Sequence, residues 1–320
     1  MDSRLPNTPT PAQPEPVEGH ALPSPQHCGL VAVIGAPNAG KSTLVNQLVG
    51  QKVAIVSAKA QTTRARLMGI ALEGPAQIIL ADTPGIFQPR RRLDRAMVNA
   101  AWDGAQEADA ILLVVDARKK KLDQLEPILA ALKDRPERKL LALNKVDQCV
   151  KEPLLVLAEQ LNALVGFDEV FFVSALSGDG VPELKMRLAA LMPEGPWHYP
   201  EDQVSDASER LLAAEITREQ LYRQLHDELP YDSAVRPESY TLRSDGSIEI
   251  HQQIVIARDS QKGIVLGKGG SKLKAIGEAA RKELAELLGV KVHLFLHVRV
   301  EEGWAESREI YEEIGLEWVK

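Results

Sequence analysis

The sequence predicts an α/β domain, a mostly parallel sheet with helices on both faces, followed by a smaller α+β domain. Three observations carry this. The chain has 320 residues, about twice an average domain, so two cores are expected. Between residues 28 and 195, short β-branched apolar runs alternate with stretches of helical period, the pattern of parallel strands joined by crossover helices. At 193–200, Pro-Glu-Gly-Pro-Trp-His-Tyr-Pro places three prolines and a glycine in eight residues, and the order of elements changes after it.

Residues 1–27 contain Pro6, Pro9, Pro11, Pro14, Pro16, Pro23 and Pro25 among polar residues, which can form neither helix nor ladder and have little to bury; a disordered tail is expected. In the first domain, 28–195, strands are expected at 30–34, 53–56, 67–72, 77–81, 111–116, 139–143 and 170–173. Helices are expected at 41–49, 94–107, 123–133, 153–165 and 181–192. A linker follows at 196–205. The second domain, 206–300, reads as helix 206–228, strand 235–243, a turn at Ser244-Asp245-Gly246 and strand 247–257, then helix 260–266, helix 271–288 stopped by Gly289, and strand 290–299. That order is αββααβ. Residues 301–320 are expected to form a C-terminal tail.

Charged residues at 26% and hydrophobic ones at 44% are the proportions of a soluble globular protein. The longest uncharged apolar stretch, 110–115, is far too short to cross a bilayer, and no basic segment followed by an apolar one opens the chain. Cys28 and Cys149 are the only cysteines, too few for a disulfide framework, which points to a reducing cytoplasmic setting and two ordinary buried thiols. The net charge of −7 is unevenly spread: residues 196–257 hold 5 basic and 12 acidic residues, 258–299 hold 9 and 4, and 300–320 hold 2 and 7. The runs Arg90-Arg91-Arg92 and Lys119-Lys120-Lys121 read as solvated loops, the arginines within a switch segment. The seven histidines show no metal-ligand spacing, and Trp102 and Trp197 read as packing residues.

Gly35-Ala36-Pro37-Asn38-Ala39-Gly40-Lys41-Ser42 fits the phosphate-binding pattern G-x-x-x-x-G-K-S, and it lies between a predicted strand and a predicted helix, with Thr43 next in line. The glycines let backbone wrap around phosphate, the helix N-terminus adds positive potential, Lys41 spans the outer phosphates, and the Ser42 hydroxyl ligates magnesium. Asp82-Thr83-Pro84-Gly85 ends the strand at 77–81, with the Asp82 carboxylate on the magnesium side and the Gly85 amide where a γ-phosphate would sit. Asn144-Lys145-Val146-Asp147 ends the strand at 139–143. The Asp147 carboxylate can accept guanine N1–H and the 2-amino group together, neither of which adenine offers. Ser174-Ala175-Leu176 ends the strand at 170–173, where a backbone amide can reach the guanine carbonyl.

These boxes, with Gln61-Thr62-Thr63-Arg64 as the second, resemble those of the translation-factor-related GTPases. The resemblance implies that a threonine of the second box closes onto magnesium in the GTP state, Thr63 in preference to Thr62. It makes Lys41, Thr63 and Gly85 the catalytic set and Ser42, Thr63 and Asp82 the metal ligands. Ile86 follows the third box where small signalling GTPases carry a glutamine, and an apolar side chain cannot orient water. Asn38 resembles the asparagine that, in relatives with this loop, helps hold a potassium ion in place of an arginine finger.

Gly267-Lys268-Gly269-Gly270 joins two predicted helices within the αββααβ run and coincides with the basic island, which resembles the type II arrangement of KH RNA-binding domains. Gly267 and Gly270 would let backbone approach a sugar-phosphate strand, Lys268 adds charge, and the following helix directs its N-terminus at the strand. Lys262, Lys272 and Lys274 extend the basic surface. Ile254, Ile256, Ile264, Val265, Leu273 and Ile276 are candidates for an apolar floor beneath unstacked bases, to be divided between that role and the core.

A GTPase with this switch, with Ile86 and with a type II KH domain resembles, over residues 28–320 and including Gly303-Trp304-Ala305, the Era family of bacterial ribosome-assembly GTPases. The resemblance implies an α/β P-loop GTPase domain followed by the KH domain, and hydrolysis of GTP to GDP and phosphate with Mg2+, slow in the isolated protein. As partners it implies single-stranded RNA near the 3′ end of small-subunit ribosomal RNA and the pre-assembled small ribosomal subunit. It also implies peripheral association with the inner face of the cell membrane, although no amphipathic basic stretch is found. A cytoplasmic monomer is expected.

Overall fold

Strands β1 (His27–Ile34), β3 (Ala76–Asp82) and β4 (Ala110–Asp116) are almost uninterrupted apolar runs, so each has to lie where helices cover both faces of a sheet. In the computed structural model, which describes residues 25–319 except 58, 60, 61, 65, 66, 90, 120, 121, 227, 228, 314 and 315 and the side chains of 310 and 313, they form the middle of a six-stranded sheet. The order is β2-β3-β1-β4-β5-β6, with β2 (Leu67–Glu73), β5 (Arg138–Asn144) and β6 (Glu169–Val173). All neighbours run parallel except β2, which turns back on β3 at Gly74-Pro75. Helices α1 (Lys41–Val49) and α5 (Val181–Leu191) bury Leu44, Leu48, Leu184 and Leu188 against one face. Helices α2 (Arg92–Gln106), α3 (Glu126–Lys133) and α4 (Lys151–Val165) cover the other with Ala101, Ile128 and Leu161.

The second domain contains α6 (Glu209–Gln224), β7 (Ser233–Leu242), β8 (Ile248–Ile256), α7 (Asp259–Leu266), α8 (Ser271–Leu288) and β9 (Val292–Val300), the αββααβ order expected. Its sheet is β7-β8-β9, the first pair antiparallel and the second parallel. Leu221, Ile254, Ile256, Val265 and Ile276 fill one core between helices and sheet, and Ile216, Ile250, Ala280 and Leu284 a second.

Two expectations change. Residues 53–56 are no strand: Val53, Ala54 and Ile55 are buried, but their backbone is satisfied by the Asn46 side chain, which accepts from Val53 N and Ala54 N (2.9 Å each) and donates to Ala54 O (2.8 Å). A buried apolar run predicts burial, and a side chain outside it supplied the partner a ladder would have given. The segment expected as the linker is fastened to the first domain by hydrogen bonds. Ile70 N donates to Val204 O (2.9 Å), Met68 N to Asp206 Oδ1 (3.0 Å), and the Gln77 amide oxygen accepts from His198 N and Tyr199 N. It thereby covers the otherwise open edge of β2. Second, the expected C-terminal tail folds back: Tyr311 of the short α9 (Arg308–Glu313), with Trp304 before it and Leu316 after it, packs with Leu93, Ala96 and Met97 of α2 and with Ala234 and Val255 of the second sheet. Residues 1–24, Gln61, Arg90, Lys120 and Lys121 lie outside the described residues.

Candidate nucleotide site and nucleic-acid interface

The carboxyl ends of β1, β3 and β5, with the loop after β6, bring the nucleotide boxes to one edge of the sheet, where parallel α/β sheets bind ligands. Only glycine fits the two ends of the phosphate loop. At Gly35 (φ 151°) a Cβ would lie 2.3 Å from Val114 O, and at Gly40 (φ 96°) 2.3 Å from Asn144 Nδ2. Asn38 also has left-handed backbone (φ 62°), which asparagine tolerates better than most residues. Lys41 is buried beneath the loop, its ammonium donating to Gly35 O and Ala36 O at 3.2 Å. Burial pulls it down to about 8.

Asp82, at the end of β3, has no exposed surface, and burial pushes its carboxyl up to about 6 against the hydrogen bond of Ser42, the charge of Lys41 and the hydrogen bond of Thr63. Its Oδ1 has no hydrogen-bond partner, an expensive state for a buried carboxylate oxygen. Thr63 Oγ1 stands 2.9 Å from Ser42 Oγ and donates to Asp82 Oδ2 at 3.5 Å, whereas Thr62 Oγ1 turns away to Lys59 O (2.8 Å). Two hydroxyls and a carboxylate with an orphaned oxygen form an all-oxygen donor set suited to Mg2+. Lys41 and Asp82 are thus two desolvated charges, one matched to phosphate and the other to a divalent cation.

The third box is pinned to the phosphate loop. Ile86 N donates to Gly35 O (3.1 Å), a Cβ at Gly85 would meet Pro37 Cα at 2.9 Å, and the Thr83 hydroxyl bonds Val33 O (2.7 Å). Ile86 itself is buried in the core, so no side chain at this position reaches toward a water.

At the base end, Asn144 ties three loops together: Nδ2 donates to Ala39 O (2.9 Å), while Oδ1 accepts from Lys145 N (2.8 Å) and Ala175 N (2.9 Å). Lys145, in left-handed backbone (φ 69°), donates from Nζ to Asn38 O (2.6 Å) and Asp116 Oδ2 (2.8 Å). Asp147 projects into solvent with its carboxyl held below the usual range chiefly by the Ser174 hydroxyl. Leu176 is exposed beside it. Sequence reasoning missed Asp116. It ends β4, and although burial alone would raise it, hydrogen bonds from Arg118 and Lys145 bring its carboxyl down to about 2. A carboxylate closing an all-apolar predicted strand was the signal for it.

In the second domain Gly267 (φ 70°, ψ 175°) adopts a conformation open essentially to glycine alone, and a Cβ there would stand 2.8 Å from Lys272 Cβ. Gly269 (φ 62°) and Gly270 (φ 78°) face open space. Helix α8 starts at Ser271 with no side chain capping its first amides, leaving them directed at the loop. Lys262, Lys268 and Lys274 are exposed and Lys272 is half-buried. The apolar floor shrinks to Ile264, 55% exposed, and half-buried Leu273, because Ile254, Ile256, Val265 and Ile276 are wholly buried in the core. Period on β8 and α8 locates their apolar faces without saying which face the sheet covers.

Known proteins match this arrangement. The model of a family described as 50S ribosome-binding GTPase matches residues 30–145, and that of the KH domain residues 228–305. The chain is 74% identical over 297 residues to GTPase Era of Erythrobacter litoralis, covering 92% of this chain and 98% of that one. It is 57% identical over 296 residues to GTPase Era of Afipia carboxidovorans, covering 92% and 96%. A crystal structure of Era in complex with MgGDPNP and nucleotides 1506–1542 of 16S ribosomal RNA superposes with TM-score 0.86 at 36% identity, over 91% of this chain and 99% of that one. A variant of Aquifex aeolicus Era bound to GDP and aluminium fluoride gives 0.85 at 36% identity, with the same coverage.

Proposed function

Because the chain belongs to the Era family of GTPases, we propose that it is a GTP-hydrolysing switch that binds single-stranded RNA at the 3′ end of small-subunit ribosomal RNA and acts in assembly of the small ribosomal subunit. The observation that carries this reading is one chain holding both a complete set of guanine-nucleotide boxes and an exposed Gly-Lys-Gly-Gly loop backed by a helix N-terminus. The relative solved with a 16S fragment shares both domains along 91% of this chain.

In the hydrolysis step, the loop amides at 38–42 and the Lys41 ammonium take the negative charge of the outer phosphates. Ser42, Thr63 and Asp82 would hold Mg2+, which when bound neutralises charge on the β- and γ-phosphate oxygens. The Gly85 amide, fixed against Pro37, donates toward the γ-phosphate. With Ile86 in the core and no arginine finger in the boxes, water is poorly oriented, so the isolated protein turns over slowly.

Asn38 lines the same cleft as Ile86 and Gln88 beside the phosphate loop, where a bound K+ would supply the missing positive charge. Exchanging K+ for Na+ at constant ionic strength should lower multiple-turnover phosphate release; equal rates would remove Asn38 from this role. Guanine choice rests on Asp147. In Asp147→Asn, GTP affinity should fall by about 100-fold or more while xanthosine triphosphate gains, since the amide now donates where the carboxylate accepted. Unaltered guanine preference would mean another group reads the base.

Retention of a 16S 3′-end oligonucleotide on a filter, against a scrambled one at fixed salt, tests the RNA reading; equal retention defeats it. The protein is proposed to act as a cytoplasmic monomer, with membrane contact limited to peripheral association at the inner face. No described helix is long and apolar enough to cross a bilayer.

A further inference from the structure

Thr63 and Arg64 are adjacent in the chain and belong to different domains by their contacts. The Thr63 hydroxyl meets Ser42 and Asp82 in the phosphate site. The Arg64 side chain enters the KH domain, where it is 4% exposed. Its guanidinium donates to Ser233 O (2.8 Å), Tyr231 O (3.1 Å), Pro230 O (3.3 Å) and the Tyr222 hydroxyl (3.3 Å), and its carbon lies 5.7 Å from the centre of the Trp304 ring. Three of these acceptors, at 230, 231 and 233, lie where the chain enters β7 and the fourth, Tyr222, is on α6, so one planar fork from the first domain ties the two elements together.

The same stretch sends two more cations across. Lys52 bridges Glu219 of α6 and Glu283 of α8, and Lys59 donates to the Tyr222 and Leu225 carbonyls at the end of α6. The excess of acid in residues 196–257 thereby gains a structural use, since part of it faces this basic segment. Arg64 differs from Lys52 in being almost wholly buried and from both lysines in following the metal-site threonine directly.

We infer that Arg64 is the positioning residue that couples the two sites: Thr63 closes on the phosphate site when Arg64 is seated in the KH domain, and leaves it when Arg64 is withdrawn. The Cα atoms of consecutive residues stay about 3.8 Å apart, so Thr63 cannot retreat by several ångströms without pulling on its neighbour. The four acceptors around Arg64 make that movement a choice between two arrangements rather than a gradual one. Linkage then requires the γ-phosphate and the seated KH domain to favour each other by one factor. The inference rests on the proposed function only for what the KH domain binds.

The test uses the full chain, with Arg64→Ala and Arg64→Lys, and measures affinity for a Mg2+-bound non-hydrolysable GTP analogue and for Mg2+-GDP. Thr63 serves the γ-phosphate state, so analogue affinity should fall about tenfold in Arg64→Ala while GDP affinity stays within about twofold, which also reports an intact fold. Arg64→Lys keeps the charge without the planar fork and should fall between; it decides by the same split if Arg64→Ala loses GDP binding altogether. In the native chain, affinity for a 16S 3′-end oligonucleotide should differ between the analogue and GDP states, and the difference should vanish in Arg64→Ala. Unchanged analogue-to-GDP preference in both variants overturns the inference. A native chain that shows the nucleotide split but retains no RNA defeats the ribosomal RNA reading and leaves the coupling standing.

Discussion

Lys41→Ala should lose both GTP and GDP, with affinities lowered by about 1000-fold or more, because two or three charge-assisted hydrogen bonds to phosphate, each worth roughly 1.5–3 kcal/mol, disappear together. The same substitution should not destabilise the ligand-free protein. Burial holds the Lys41 ammonium at about 8, below the ordinary lysine value of 10.5, so around neutral pH its charged form costs the folded state rather than supporting it. That cost is present in full below about 8 and is gone above the value of the unfolded chain. Ligand-free Lys41→Ala should therefore melt at or slightly above the native temperature at pH 7, and Mg2+-GDP, which raises the native midpoint, should leave the variant's unmoved. Thermal melts with and without nucleotide measure both effects. A variant that melts well below the native chain would make Lys41 a structural residue that holds the loop through Gly35 O and Ala36 O.

The nucleotide site could be read from the sequence because each part of it is local. A run such as Asp82-Thr83-Pro84-Gly85 follows its own strand directly, and parallel strands bring such ends to one edge whatever happens elsewhere. What could not be read depends on contacts between distant segments. Nothing near residues 53–56 states that Asn46 will satisfy their backbone, and nothing near 301–320 states that Trp304 and Leu316 will meet Leu93 and Met97. The preference for Thr63 over Thr62 came from resemblance, since the two hydroxyls are equal in composition and spacing, and it is the path of the loop that sends Thr63 to Asp82. Ile254 and Ile276 look like surface for bases until the helices of their own domain cover them. Arg64 closes the second box, yet its role is not legible there, because its partners include carbonyl oxygens at 230, 231 and 233, which carry no signature.

Gly269→Asp should abolish RNA binding while leaving GTP hydrolysis by the isolated protein and the melting temperature close to native. The position separates function from fold unusually well. A Cβ at Gly269 meets nothing within 4 Å, and its φ of 62° lies in the left-handed region that aspartate enters at modest cost. Gly267 is the contrasting neighbour, where a Cβ would stand 2.8 Å from Lys272 Cβ and where φ 70° with ψ 175° excludes other residues, so a substitution there would confound binding with folding. A carboxylate at 269 takes the place a phosphate should occupy, beside Lys268 and before the uncapped amides of α8. It both blocks backbone approach and cancels the attraction, and it can itself accept from those amides as a phosphate would. Affinity for the 16S 3′-end oligonucleotide should fall by about 100-fold at physiological salt, and the slope of log affinity against log salt should flatten as phosphate contacts are lost. A decrease of less than about threefold, with the slope unchanged, would show that the strand crosses the domain away from this loop, and Lys262 and Lys274 would lose their assignment with it.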